Sequence, residues 1–399
     1  MMKLKNYIYG VALGALSLTY ASCYNADKEF PDYEGGTMAY FAYQYPVRTL
    51  ILGNDIYDNT LDNAHKCQIW STMGGAYGGR DATVDVVVDE SLCNDLYFTD
   101  EGGNAAAPVL PMPTTYYQLL SNAIPYKGEP RGYVEVQFTD AFFNDPQAIA
   151  NTYVIPLRMT KVTGIDSILV GKPREGLTPA RTNSSDWEIL PKDYVLYLVK
   201  YMNPWQGKYI RRGVDNVTEK DVTTTFVRKD FSLMNTDLEH YTENPVNQND
   251  EICGITTKNM SQAIFPVSIK RADGADGKAR ASLTCKLILT FDGDKCSIST
   301  DDVHVTATGS GEFIVKGTER QEYKDYQWGS LNGQPVQRDI LRLAYNVSFD
   351  KDFVTGWDDK KQQDILLGTD VHVSTADTLV IQTRESNQKV FFSPIYVQQ

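Results

Sequence analysis

Short runs in which apolar and polar residues alternate recur along this chain, and they indicate β-strands that bury one face. Residues 83–89, Thr-Val-Asp-Val-Val-Val-Asp, place three valines on one side of a strand. Residues 133–138 repeat the alternation, and residues 153–159 form a third run whose Pro156 predicts an edge strand or a bulge. Because no long amphipathic helix accompanies these runs, an α/β fold or a helical solenoid is disfavoured and an all-β chain is expected.

Two short helices are expected to interrupt the strands. Thr114 to Ser121 follows Pro113 and predicts one of them. The second is expected to begin at residues 140–143, with Thr139 or Asp140 as its N-cap.

Turn-forming residues divide the β pattern into two parts. Short strands within residues 37–169 predict an Ig-like β-sandwich, and residues 170–193, with several Gly, Pro and Asn, predict a linker. Residues 194–399 predict a second antiparallel domain, for which a β-barrel and a second sandwich stay open as alternatives. Its strands are expected at 194–199, 265–270, 282–291, 296–300, 303–308, 312–316, 341–349 and 378–383.

Residues 1–22 have the order of a secretory signal. Lys3 and Lys5 precede an apolar stretch, and small residues then lead to Cys23. The stretch is too short to span a bilayer, and a Cys directly after small residues predicts lipid attachment at Cys23. Residues 23–36 are then a polar tether, and the protein is expected to be exported and anchored in outer-membrane lipid, facing the cell exterior. An ordinary signal peptide with an unmodified Cys23 is the alternative.

Charge and histidine content narrow the function classes. The formal net charge of −13 disfavours nucleic acid as a partner, because phosphate neutralisation needs clustered Lys and Arg. With 4 His, a His-rich metal site or catalytic network is disfavoured. No cofactor or metal is expected, although the Asp- and Asn-rich loop 54–63 offers the oxygen ligands that Ca²⁺ accepts.

The cysteines after position 23 are odd in number, so a complete disulfide framework is excluded. Buried free thiols are expected, with a bridge between Cys67 and Cys93 left open. A two-residue Asp-Gly turn would place Leu289 opposite Cys296, which leaves Cys285 too far from Cys296 for a disulfide.

Four sequence runs carry a family resemblance: residues 53–63 with 74–77, 113–119, 140–146 with 153–157, and 203–213 (Asn-Pro-Trp-Gln-Gly-Lys-Tyr-Ile-Arg-Arg-Gly). The first three resemble the Ig-like N-terminal module of exported Bacteroidetes proteins, a module that also precedes some family 18 endoglycosidase domains. The fourth resembles the start of the C-terminal β domain that accompanies this module in lipoproteins of unknown function. The resemblance implies a two-domain Bacteroidetes surface lipoprotein and, by association, surface glycan capture.

Aromatic residues in polar loops are the candidate binding residues. Sugars present apolar C–H faces that stack on flat rings, while their hydroxyls need polar neighbours. Tyr323, Tyr326 and Trp328 lie in one polar, Gly-containing segment and Trp357 lies in another. These four residues are therefore the predicted carbohydrate-binding residues.

The two tryptophans beside apolar strands, Trp70 and Trp205, are expected in the core instead. An aromatic residue near the first strand closes the floor of calycin barrels. The run Gly207-Lys208-Tyr209 after an apolar strand resembles the first strand of such barrels, which implies a calycin-like β-barrel as one of the two alternatives. Trp205 stands two residues before Gly207, whereas in lipocalins the Trp follows the Gly.

These observations predict a non-catalytic cell-surface lipoprotein that binds a polysaccharide or a glycoprotein glycan, with an outer-membrane transport complex as a candidate partner. The alternatives are a structural or adhesive surface protein without a sugar site, a glycoside hydrolase, and a barrel that carries an apolar ligand. A shallow aromatic groove would favour glycan binding, and a deep apolar cavity would favour the barrel ligand. Two carboxylates that face each other across a cleft at about 5–10 Å would favour the hydrolase.

Overall fold

The computed structural model describes residues 32–228, 251–320, 330–331, 333–384 and 390–398. The strands of the N-terminal part are β1 (Met38–Tyr40), β2 (Pro46–Ile51), β3 (Lys66–Gly74), β4 (Ala82–Val88), β5 (Leu96–Thr99), β6 (Ala105–Pro108), β7 (Leu110–Pro111), β8 (Tyr117–Leu119), β9 (Ala123–Tyr126), β10 (Arg131–Phe138), β11 (Tyr153–Thr163), β12 (Ser167–Ile168), β13 (Lys172–Pro173), β14 (Trp187–Ile189) and β15 (Tyr194–Met202). Those of the C-terminal part are β16 (Gly207–Glu219), β17 (Val222–Val227), β18 (Glu251–Thr257), β19 (Gln262–Ile269), β20 (Leu283–Asp292), β21 (Lys295–Ser299), β22 (Val305–Ile314), β23 (Ser330–Leu331), β24 (Gln334–Pro335), β25 (Ile340–Phe349), β26 (Val354–Asp358), β27 (Gln363–Leu366), β28 (Val371–Thr383), β29 (Val390–Phe391) and β30 (Pro394–Tyr396). Two short α-helices, α1 (Thr60–Asn63) and α2 (Asp140–Asn144), and four 3₁₀ turns, Glu90–Cys93, Pro146–Ile149, Ser184–Asp186 and Gly317–Glu319, complete the described elements.

The N-terminal part is a β-sandwich, which confirms that expectation. One sheet has the order β12-β1-β3-β10-β8, and the other has the order β29-β2-β15-β11-β4-β9 with β7 beside β11. Alternate residues of both sheets meet in one apolar core, for example Ile69 and Val134 from the first sheet and Leu157 and Val199 from the second. On the first sheet, the residues that alternate with these core residues along each strand face outward, as the two-residue repeat of a strand requires.

A third layer covers the outer side of the second sheet. The small sheet β30-β5-β6 and the turn Glu90–Cys93 pack there against Val154, Leu196 and Leu198. Strand β15 is therefore buried on both faces, and its residues Tyr194–Met202 form a nearly continuous apolar run instead of an alternating one.

The structure corrects the expected domain boundary. The sequence predicts strand β15 in the second domain, but it pairs antiparallel with β11 and parallel with β2 inside the sandwich. Residues 170–193 also pack on the sandwich, since the Phe41 N–H donates to the Lys192 carbonyl at 2.8 Å and the Trp187 indole is buried. At the other end, β29 and β30 pair with β2 and β5, so residues 390–398 return to the first domain.

The C-terminal domain is a closed barrel, which decides between the two alternatives. Eight described strands follow one another around it in the order β16-β18-β19-β20-β21-β22-β25-β28, and β28 pairs with β16 to close the ring. Strand β17 pairs antiparallel with the second half of β16, residues 214–219, as an additional strand. Two expected strands, at 303–308 and 312–316, are one continuous strand, β22.

Three local predictions about the sandwich have different outcomes. The prediction of the first helix is wrong and that of the second is confirmed. For the strand with Pro156, the edge position is wrong, but β11 does contain an irregularity, where its register with β4 shifts between Met159 and Lys161. The expected helix after Pro113 is a turn followed by β8, because Tyr117 buries its ring and pairs with Phe138. Pro156 is not on an edge strand, since β11 lies between β15 and β4. It stands where the partner of β11 changes from β7 to β4, so its missing N–H leaves no gap in a ladder. The helix at Asp140 is present as α2, with Thr139 at the N-cap position.

The five described cysteines are free and buried, Cys67 and Cys93 included. Burial raises the pKa of each thiol to about 12. The register around the Asp-Gly turn differs from the expected one, because Phe291 and not Leu289 lies opposite Cys296. Cys285 lies opposite Val267 of β19 instead, so no bridge between Cys285 and Cys296 forms.

One buried side chain joins the two domains at the point where the chain passes from one to the other. Arg384, which follows β28, donates to the carbonyls of Leu52 at 2.6 Å and Asn54 at 2.9 Å in the sandwich. It also donates to the carbonyls of Asn203 at 2.6 Å and Gln206 at 3.2 Å in the connection. Burial lowers the pKa of Arg384, while the nearby tyrosine and acidic groups oppose that change.

Candidate functional site

The sequence-predicted binding residues are only partly within the described structure. Trp357 lies on β26 of the β26–β27 hairpin and is 53% exposed. Tyr323, Tyr326 and Trp328 lie outside the described residues, as does Cys23. The structure therefore places one of the four predicted residues at the surface and does not test the site as a group.

The two tryptophans expected in the core differ from each other. Trp205 is buried in the barrel and stacks on Phe291, with ring centroids 3.7 Å apart and planes 4° apart, so its core assignment is confirmed. Trp70 is 43% exposed, and its assignment to the core is wrong. Cys67, Ile69 and Met73 of β3 point into the sandwich, which puts Trp70 on the outward side of the same strand.

Strand register brings a second aromatic ring next to Trp70. Tyr133 of β10 lies directly opposite Trp70 of β3 in the antiparallel ladder, so both side chains share the outer face of the sheet. Their ring centroids are 4.6 Å apart at an angle of 47°, and Tyr133 is 39% exposed. We call this pair of rings the aromatic face.

A positive charge lies on the aromatic face. Arg131, two residues before Tyr133, places its guanidinium carbon 4.9 Å from the centroid of the Trp70 ring. The structure gives Arg131 no carboxylate partner among the described residues. Close by, Lys66 and Glu135 form an ion pair across the two strands at 2.6 Å.

The aromatic face is part of an open groove of about 530 Å³. The exposed Leu120 and the segment that leads into β9 form one wall, and Lys127 and Glu129 lie at its end. Gly132 lets β10 run close to this wall, because a Cβ there would lie 2.3 Å from the carbonyl oxygen of Pro125. The groove therefore combines flat apolar rings with charged side chains at the surface, as sites that bind amphipathic ligands do.

A second depression, of about 320 Å³, lies at one end of the barrel. His304 Nδ1 is 2.9 Å from Asp350 Oδ2, and His372 Nδ1 is 2.8 Å from Ser348 Oγ. Its lining includes Phe349, which is buried, and among the described residues it presents no exposed Trp, Tyr or Phe ring. It therefore lacks the Trp–Tyr pair that distinguishes the groove.

The described interior of the barrel is filled by side chains. Arg211 of β16 is fully buried and donates to Asp377 at 2.8 Å, to Glu251 at 2.8 Å and to the Tyr345 hydroxyl at 2.8 Å. Arg228 pairs with the same two carboxylates and with Asp215. Apolar residues of all eight strands pack around this ionic network. Within the part of the barrel that the structure describes, these side chains form a packed core.

The acidic loop at 54–63 uses its polar groups internally. Asp62 is buried, forms an ion pair with Arg48 and accepts from the Ile51 N–H at 2.9 Å. Asn59 donates to the carbonyls of Ile51 at 2.8 Å and Gly53 at 2.7 Å. Within the described ranges, no group of three or more His, Cys, Asp or Glu side chains is arranged to hold a metal ion.

Among the residues that the structure describes, no helix has the length and apolar character needed to cross a bilayer.

Comparison with known proteins identifies relatives of the whole chain. Residues 204–385 match a domain of unknown function, DUF5627, and residues 32–166 match a family described as an N-terminal domain. No curated protein matches the chain. Two crystal structures from Bacteroides ovatus are only weakly similar to this chain. A multidomain protein that includes DUF1735 aligns with a TM-score of 0.38 at 10% identity, over 86% of this chain and 94% of that one. A protein of unknown function aligns with a TM-score of 0.37 at 10% identity, over 88% of this chain and 95% of that one.

A third crystal structure from Bacteroides ovatus is much more similar. This structural-genomics protein of unknown function is 35% identical and has a TM-score of 0.71. The alignment covers 92% of this chain and 100% of that one. The chain therefore belongs to the family of this Bacteroides ovatus protein.

Proposed function

We propose that this protein binds glycans through the aromatic face of its N-terminal sandwich, as a lipid-anchored protein on the outside of the cell. The observation that carries the proposal is the exposed Trp70–Tyr133 pair in an open groove. A folded protein gains little by holding two large rings half in water, since burying an aromatic side chain removes 150–250 Å² of surface from solvent. Rings kept exposed beside charged side chains are suited to a ligand with an apolar face and polar edges.

The chemistry of a sugar fits this surface. A pyranose ring has an apolar C–H face that packs on indole and phenol rings. Its hydroxyls need donors and acceptors at the edge of the rings, and Lys127 and Glu129 are placed to supply them. The groove is open, so a chain of sugar units can continue in either direction, as polysaccharide binding requires.

Replacing Trp70 by Ala is expected to weaken glycan binding by roughly ten- to a hundredfold. Stacking of a nucleobase on an aromatic ring is worth ~1–3 kcal/mol, and we expect a similar or smaller value for a sugar. A glycan array on the purified chain identifies a ligand, and titration of wild type and variant gives the affinities. The melting temperature should hardly change, because the Trp70 side chain is 43% exposed.

Trp357→Ala is the matched control, since Trp357 is also an exposed tryptophan but lies in the barrel domain. Its affinity should equal that of the wild type if the aromatic face is the site. The reverse result, a loss with Trp357→Ala and none with Trp70→Ala, would move the site to the β26–β27 hairpin. If the purified protein bound no glycan on the array, the proposal would be contradicted.

The anchoring part of the proposal has its own test. Cys23→Ala is expected to leave the protein without lipid, so that it appears in the soluble fraction when cells are broken. Metabolic labelling with a radioactive fatty acid and membrane fractionation measure this. Cys67→Ala, which changes a buried thiol, should keep the label. Continued outer-membrane fractionation of the Cys23 variant would contradict a lipid anchor at this residue.

A further inference from the structure

We propose that the glycan bound in the groove carries an anionic group, either the carboxylate of a uronic acid or a sulfate ester, and that Arg131 binds this group. The inference rests on the glycan-binding function proposed above and adds the class of sugar. It starts from a guanidinium that lies over the Trp70 ring with no carboxylate partner among the described residues.

The guanidinium of Arg131 is preorganised to bind the oxygens of an anionic group. A guanidinium carries five N–H donors in a planar fork that matches two oxygens of a carboxylate or a sulfate. Packing over the indole holds that plane in one orientation, so less conformational freedom is lost when a ligand binds. A ligand that reaches Trp70 therefore meets these donors at the same place.

The charges around the groove favour an anion. Three cationic side chains, Lys66, Lys127 and Arg131, stand against two carboxylates, Glu129 and Glu135. Lys66 neutralises Glu135 through the ion pair at 2.6 Å, which leaves Lys127 and Arg131 against Glu129. This positive excess lies on a chain whose formal net charge is −13, so a polyanion is repelled elsewhere and attracted here.

Arg131→Ala is expected to change the affinities for neutral and for anionic sugars in different ways. A neutral sugar that stacks on Trp70 must displace the guanidinium from the ring, so Arg131→Ala should leave its affinity unchanged or raise it. An anionic sugar uses the guanidinium as a donor, so the same substitution should weaken it by about tenfold or more. The sign of the change separates the two cases.

The experiment titrates the full chain with two matched pairs of probes. Polygalacturonate and its methyl ester differ in the carboxylate, and dextran sulfate and dextran differ in the sulfate. We expect at least one anionic probe to bind more tightly than its neutral partner. Arg131→Ala should remove that preference, and Arg131→Lys should restore only part of it, because the ammonium lacks the planar fork. Arg342→Ala is the matched control, because Arg342 lies on the exposed outer side of β25. It should leave the affinities for all four probes unchanged.

The outcomes separate this inference from the proposed function. Neutral probes that bind in a Trp70-dependent way, with no preference for the anionic ones, would overturn the anionic assignment and leave glycan binding in place. An equal loss of anionic binding with Arg131→Ala and Arg342→Ala would also overturn it, because the attraction would then be non-specific. A failure of all probes and of a glycan array would instead remove the proposed function.

Discussion

Replacing Arg211 by Met is expected to destabilise the barrel by about 3–5 kcal/mol, the usual cost of removing one partner from a buried ion pair. The substitution removes three hydrogen bonds, to Asp377, Glu251 and Tyr345. The side chains of Arg211 and Asp377 are both 0% exposed, so water cannot replace the lost donors. Of the two arginines, Arg228 would then remain to pair with three carboxylates, those of Asp215, Glu251 and Asp377.

Chemical denaturation of wild type and variant measures this difference. Arg342→Met is the control, because Arg342 lies on β25 with an exposed side chain outside the barrel. It should change the free energy of unfolding by less than about 0.5 kcal/mol. A loss of similar size in both variants, or a loss below about 1 kcal/mol for Arg211→Met, would mean that the ionic network does not hold the barrel together.

Replacing Arg384 by Met is expected to uncouple the two domains. Arg384 donates to four carbonyl oxygens, two in the sandwich and two in the connection to the barrel. Leaving a buried carbonyl without a donor costs about 1–3 kcal/mol, so the loss should be at least about 2 kcal/mol and should fall on the contact between the domains. Differential scanning calorimetry should then show two separated transitions, or a wider separation than in the wild type.

Arg338→Met is the matched control for Arg384→Met. Arg338 donates to the carbonyls of Ile381 at 3.2 Å and Gln382 at 2.9 Å, both in the barrel's own strand β28. This variant should lower the melting temperature of the barrel without changing the separation of the transitions. If the Arg384 variant melts in the same single transition as the wild type, the domains are held together by other contacts, such as Pro204 against Gly53.

Part of the aromatic face could have been found from the sequence. The alternation of Cys67, Ile69 and Met73 puts Trp70 on the opposite side of β3. The same rule puts Tyr133 opposite Val134 and Val136 on β10. The position of Trp70 beside an apolar run predicts a core residue, whereas the alternation along β3 gives the outward position that the structure has. That two rings on different strands lie side by side depends on the register between β3 and β10, which no local pattern contains.

For β15 too, the sequence predicts the strand, whereas only the tertiary structure shows which domain the strand belongs to. An apolar run at 194–202 marks a strand, because a segment that is buried on both faces needs apolar side chains at every position. Its sequence is equally compatible with either domain, and only its pairing with β2 and β11 places it in the sandwich. The same holds for residues 390–398, which are last in the chain and lie beside β2 and β5.

The strand character of most segments and their division into two parts can be predicted from the spacing of apolar residues along the chain. The closure of the second domain as a barrel, the ionic network in its interior and the meeting of Trp70 with Tyr133 on an open face depend on the tertiary fold. Each of these depends on contacts between residues far apart in the chain. A local pattern sets which side of a strand is apolar, whereas the partner strand and the register are chosen by the packing of the whole molecule.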